Sequence, residues 1–282
     1  MVVKRVSGIG RPLSLKYPTN RAIIIIVASV FILGTLTKLV AGDSFIASIV
    51  WAFGAAAALF FAWALARELD PDSNASSFIS AALMLIALFF TDLPSLLALF
   101  WFLLITRILN RITGVAPKPL DLAGVIILAV VLSWQELWVY GLITALALYV
   151  NSWMDGEKKK GITLVVIVLS LVILSTFLGD ASFTNIDISA GAIVAATFFT
   201  LLFIPVICIT TSLKSLTDIT REPVSVFRLR VVRISAVVTG ILVAIMQGNT
   251  GFNDLLPVWV AIGGIIIWNY YKFIKCYRKN EY

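Results

Sequence analysis

Ten apolar runs separated by short polar gaps divide the chain, at roughly 22–41, 44–66, 77–91, 94–109, 121–134, 137–153, 161–179, 189–213, 233–247 and 255–272. Within each run Ile, Leu, Val, Ala and Phe follow one another without the alternation of a barrel strand. A backbone in hydrocarbon must satisfy its own hydrogen bonds, so the pattern predicts helices. Five runs approach the roughly 20 residues that cross about 30 Å of hydrocarbon; the third to sixth and the ninth are nearer 15 and need their flanks or a thinned bilayer. The fold expected is an all-α polytopic membrane bundle of about ten transmembrane helices.

Charge sets the sidedness. All but Lys38 of the 22 Lys and Arg residues fall in the N-terminal arm, in every second gap, or in the tail. Lys and Arg beside short loops are retained on the cytosolic face, so both termini are expected there. The intervening gaps hold Lys38 against Asp43, Asp92, Glu136, Asp180, Asp187 and Asp254. Trp134 and Trp138 bracket the polar pair Gln135–Glu136, which favours a break over one long helix through 121–153. A re-entrant hairpin around Thr91, Asp92, Leu93 and Pro94 leaves sidedness unchanged, so eight spans plus a hairpin stay open. The organisation expected is a basic arm at 1–21, a single membrane domain at 22–272 and a basic tail at 273–282, with the arm retained and not cleaved as a signal.

Composition narrows the chemistry. With 60% apolar and 13% charged residues and a mean hydropathy of +1.02, the chain has too little polar surface for a water-soluble globule of this size. It contains no histidine. That excludes imidazole zinc sites, Ser-His and Cys-His dyads and His-ligated haem. Cys208 and Cys276 lie far apart in the chain, so no disulfide is expected. The net charge of +7 is spread over all the basic gaps, which points to anionic lipid headgroups as partners and leaves nucleic acid unnecessary.

The richest polar segments are Arg67 to Asn74 after the second run, Thr106 to Gly114 after the fourth, and Pro117 to Asp121. Read as a ligand site, Asp70, Asp72 and Asp121 would hold Mg²⁺ while Arg67, Arg107, Arg111 and Lys118, with Asn110 beside them, engage phosphate oxygens. Arg107 and Arg111 are spaced to share a helix face. Helix ends explain the same residues without a ligand: cations oppose the dipole at C-termini, and Asp72, Ser73, Asn74 and Asp121 cap N-termini. A third reading makes them a salt-bridge latch between loops.

Inside the membrane the expected polar feature is a stripe on the eighth run, where Thr197, Thr200, Cys208 and Thr211 cluster around a kink at Pro205. It lines a substrate path on one reading and a helix contact on the other. Lys38 with Asp43 or Glu136 is an expected outer pair. Few ionisable groups lie deep, which disfavours proton pumping. The segment Lys214 to Arg233 mixes Val, Phe and Leu with arginines and is expected to lie on an anionic membrane surface.

Ten short-looped helices, about 280 residues and cytosolic termini resemble the drug/metabolite transporter superfamily in size and topology, which implies two five-helix inverted repeats. No residue-level repeat relates runs 1–5 to 6–10. The leading expectation is a small-molecule permease of the cell membrane without a cofactor. The alternative is a Mg²⁺-dependent enzyme acting on a lipid or isoprenoid diphosphate at the cytosolic face.

Overall fold

The computed structural model describes residues 6–178 and 188–279, with side chains to Cys276. Ten helices occupy the described residues, one for each apolar run: α1 Pro18–Val40, α2 Phe45–Leu69, α3 Asn74–Ala87, α4 Leu96–Asn110, α5 Pro119–Gln135, α6 Val139–Met154, α7 Lys158–Leu178, α8 Ala190–Ile209, α9 Val226–Asp254 and α10 Leu256–Lys279. The expected outer carboxylates Asp180 and Asp187 lie outside the described residues.

By length and composition five of these, α1, α2, α7, α8 and α9, can cross a membrane. The apolar helices α3 to α6 have 14, 15, 17 and 16 residues. At 1.5 Å per residue they reach only about 21 to 26 Å, short of a hydrocarbon core of about 30 Å. Large apolar side chains face outward, among them Val40, Phe89, Phe90 and Phe177, each at least 80% exposed. Apolar surface on that scale is compatible with a membrane setting.

Local chemistry sets the helix ends. Ser44, Ser73 and Ser189 each accept a hydrogen bond from the backbone three residues on, at 3.2 to 3.3 Å. Pro18 and Pro119 stand at the first helical position, where no N–H is needed. After α6, Gly156 takes φ +77° and the Glu157 N–H returns 2.8 Å to the Ser152 carbonyl, closing the helix.

Several boundaries differ from the expected runs. The third helix starts at Asn74 because Ser73 caps it, and it ends early at Ala87. The eighth stops at Ile209, where Thr210 turns extended, so Thr211 is not on the helix and drops out of the stripe expected there. The ninth begins at Val226, seven residues before the run does, because Arg228, Arg230 and Arg233 are helical. Near its other end Gly248 breaks the helix with φ +65° and ψ −139°.

The helices gather into two compact units that interleave along the chain. The first holds residues up to Arg11, α4 from Phe100, α5, α6, α7, α8 to Ala195, and α9 to Phe252. In it α6 packs on α7, and α5 lies against both. The second unit holds α1, α2, α3, α4 to Leu99, α8 from Ala196, and α10, with α1 and α3 on α2 and α10 across α2 and α3.

Close approach between helices depends on small residues, as it does where lipid supplies no hydrophobic drive. A Cβ at Gly264 would stand 2.7 Å from both the Ser76 carbonyl oxygen and the Ser80 nitrogen, so α10 rides directly on the backbone of α3. In the first unit a Cβ at Gly141 would meet Val172 of α7 at 2.2 Å.

Candidate functional site

In the second unit, the predicted residues serve the α2–α3 turn. The Arg67 guanidinium donates to Asn74 Oδ1. Asp70 is the residue after α2 and is buried, and its carbonyl accepts from the Ser73 N–H at 3.3 Å. Asp72 is exposed. Lys38 sits 3.5 Å from Asp43 and over the Trp51 ring, the expected outer pair with Asp43.

In the first unit, Asp121 anchors the chain to itself. One carboxylate oxygen accepts from the Ser7 hydroxyl, and the other accepts from the N–H groups of Gly8 and Lys118, both at 2.8 Å. The N-terminal arm is thereby pinned to the start of α5. Gly8 allows this, since a Cβ there would stand 2.2 Å from the Ala116 carbonyl oxygen. The Asp218 and Ile219 N–H groups of the α8–α9 connection donate to the Ile112 and Thr113 carbonyls, at 2.9 and 3.1 Å, and Arg11 pairs with Asp218 at 2.7 Å. The connectors at this basic end form a docked platform.

The expected sharing of a helix face by Arg107 and Arg111 is corrected. Helix α4 ends at Asn110, and Arg111 takes φ +52°, a left-handed turn that costs a non-glycine residue about 1–2 kcal/mol. It carries Arg111 off the helix and against Asp155 at the end of α6. Asp155 is shared: one oxygen pairs with Arg111 and the other with Arg228 Nη2 at 2.6 Å. Arg228 also donates to the Leu109 carbonyl at 2.9 Å and to Asn151 Oδ1 at 3.2 Å. One carboxylate therefore ties α4, α6 and α9 together, with all three charged side chains under 20% exposed.

The expectation that the arginines before the ninth run lie on lipid is likewise corrected. Arg233 is buried and donates to Thr210 Oγ1 at 2.7 Å, and Arg230 donates to the Thr210 carbonyl at 2.7 Å. A buried cation is stable only where acceptors surround it.

Beside Asp155 opens a cavity of about 290 Å³, bounded by the α4–α5 turn, the end of α6 and the start of α7. Glu157 lies on its wall, and the Lys160 ammonium 2.7 Å away holds that carboxyl below its ordinary range.

The opposite ends of the same helices carry a second polar layer. The Tyr140 hydroxyl donates to Gln247 Oε1 at 3.1 Å, and the Gln247 amide reaches Glu136 at 3.5 Å. Thr144 Oγ1 accepts from the buried Trp101 indole at 2.8 Å and donates to the Tyr140 carbonyl. Trp101 and Tyr140 meet edge to face at 5.1 Å.

The expected path residues on α8 fall away from its packed side. Thr197 and Cys208 are exposed, and the Thr200 hydroxyl returns to the Ala196 carbonyl at 2.7 Å. Phe203 and Val206 form the buried face, with Pro205 beside them.

Sequence reading missed Asp155, Asn151, Arg228 and Gln247. A signal for Asp155 was present: an acidic residue in a cationic gap, four after Asn151 and so on its helix face. Among the described residues no three Asp, Glu or Cys side chains gather as a metal site requires. Comparison with protein-family models, curated proteins and solved structures gives no match.

Proposed function

We propose that this protein is a multi-pass permease of the cell membrane that moves a small molecule, with both termini on the cytosolic side. The observation that carries the reading is that α9 joins two polar closures about 28 Å apart along its axis. Arg228 closes on Asp155 at one end, and Gln247 closes on Tyr140 and Glu136 at the other. Both are reversible hydrogen-bonded contacts. Past Arg230 and Arg233, the apolar stretch 234–246, with Ala236, Val243 and Ala244 buried, has no ionisable side chain to do chemistry. Alternating access needs such a layout: a barrier at each face that opens as the other holds.

The distribution of Lys and Arg supports this orientation, with the Asp155 closure on the cytosolic side. A Mg²⁺-dependent diphosphate enzyme is the weaker reading, because Asp121 commits both oxygens to Ser7, Gly8 and Lys118.

The test uses a Cys208→Ser/Cys276→Ser background with Ala236→Cys or Ala147→Cys between the closures, probed by a membrane-impermeant thiol reagent from each side. Adding Asp155→Asn is expected to raise cytosolic labelling severalfold, and adding Gln247→Ala to raise it from outside. Cysteines unlabelled from both sides in every background describe a solid bundle and remove the permease.

A further inference from the structure

Helix α7 begins on Lys158, Lys159 and Lys160, with no acidic residue in its first turn. Electrostatically this is inverted. A helix N-terminus carries about half a positive charge and three or four unpaired N–H groups, so it favours anions. Three cations placed there repel both the dipole and one another. Their side of the membrane accounts for a basic connector, but not for its placement on this helix start above a cavity whose wall is already cationic.

The local carboxylates do not balance the charge. Asp155 is divided between Arg111 and Arg228, and Glu157 is taken by Lys160. Lys158 and Lys159, next in the chain to the lining residues Glu157 and Lys160, are exposed. Arg111, held in its strained turn, keeps its Nε buried without a hydrogen bond. The wall adds Asn151 and Ser152, which carry neutral donors. At about 290 Å³ the space sits at the small end of ligand sites, roughly 300–1,000 Å³, which suits a headgroup.

Depth is given by the aromatic residues alongside. Trp153, 47% exposed, meets Phe227 at 6.3 Å between ring centres. A half-exposed indole at the end of an apolar helix is the mark of the membrane–water boundary. The cavity therefore opens at the level of lipid phosphates.

The geometry points to a binding site for a phosphomonoester, carried at this depth by an anionic lipid such as phosphatidic acid. Three terminal oxygens and up to two negative charges match the donors of Lys160, Arg111 and the free N–H groups of the first turn of α7. The inference is independent of transport, since a structural lipid or a regulator would occupy the same site.

The full chain, purified in uncharged detergent, is titrated with short-chain phosphatidic acid, with phosphatidylcholine of the same chain length, and with inorganic phosphate, reading the thermal unfolding midpoint. Phosphatidic acid is expected to raise the midpoint saturably and phosphatidylcholine to leave it unchanged. Lys160→Gln, an exposed position, is expected to keep the lipid-free midpoint and weaken the lipid about tenfold, as the loss of one charge-assisted hydrogen bond predicts. Lys16→Gln, also exposed, is the control and should bind as the unaltered protein does. If inorganic phosphate matches the lipid and displaces it, the site stands and its ligand is a soluble phosphate. Equal shifts with phosphatidylcholine, or a Lys160→Gln response equal to that of Lys16→Gln, overturn the proposal.

Discussion

Asp155 is the side chain on which most of the basic end depends. Removing its charge while keeping its shape leaves Arg111 and Arg228 facing each other with no counter-charge, where breaking a fully buried pair costs about 3–5 kcal/mol. Because these groups keep some exposure to water, Asp155→Asn is expected to lower stability by about 2 kcal/mol, read by thermal unfolding in detergent. Adding Arg228→Gln to that variant should cost far less than it does alone, and strictly additive losses would show that the contact is idle. Two glycines make a second comparison. Gly114 has φ +81°, and a Cβ there would stand 2.1 Å from the Thr220 hydroxyl, so Gly114→Ala is expected to lose about 2 kcal/mol or more. Gly124 has open space around its Cβ position, so Gly124→Ala is expected to be neutral or to gain about 0.5 kcal/mol by the same measurement. Little of this was legible in advance. Arg111 was recognised as important, but its partner depends on a left-handed turn that no spacing rule announces. Asp121 was recognised too, and its capping role is the one seen, extended by an arm from more than a hundred residues away.

Elements were easier to read than their ends. Every apolar run became a helix, because an unbroken apolar stretch has few other ways to satisfy its backbone in lipid. Boundaries failed where polar residues extended a helix or a hydroxyl stopped it. Arg228, Arg230 and Arg233 hid the start of α9 because their charges look loop-like until Asp155 and Thr210 are in view. Helix α8 stopped at Ile209, four residues before the apolar run did, and Thr211 left the expected stripe. The α3–α10 contact gives a prediction at this scale. Gly264→Ala would press a methyl on the α3 backbone, which cannot rotate away, and is expected to cost about 1–3 kcal/mol. Gly191→Ala, with only Ser189 Oγ near at 3.9 Å, is the control and should leave the unfolding midpoint nearly unchanged.

For the whole molecule, composition spoke plainly about the solvent and not about the cargo. Outward-facing Ile, Leu, Val and Phe agree with a membrane setting, and among the described residues five helices are long and apolar enough to span one. Sidedness is a prediction: in a background lacking Cys208 and Cys276, Gly156→Cys and Lys16→Cys should react with an impermeant thiol reagent from the same face. Ala41→Cys should react from the other. Labelling of positions 16 and 156 from opposite faces would break the alternation of basic gaps.

The interleaving of the two units has a consequence for biogenesis. Helix α3 leaves the ribosome with its serine face uncovered, and the glycine pair that fits it, Gly263 and Gly264, is translated almost two hundred residues later. The second unit must wait, half-built, while nearly all of the first is inserted. Nascent chains halted before Leu256 should therefore be handed to quality-control proteases, whereas chains halted after Trp268 should persist.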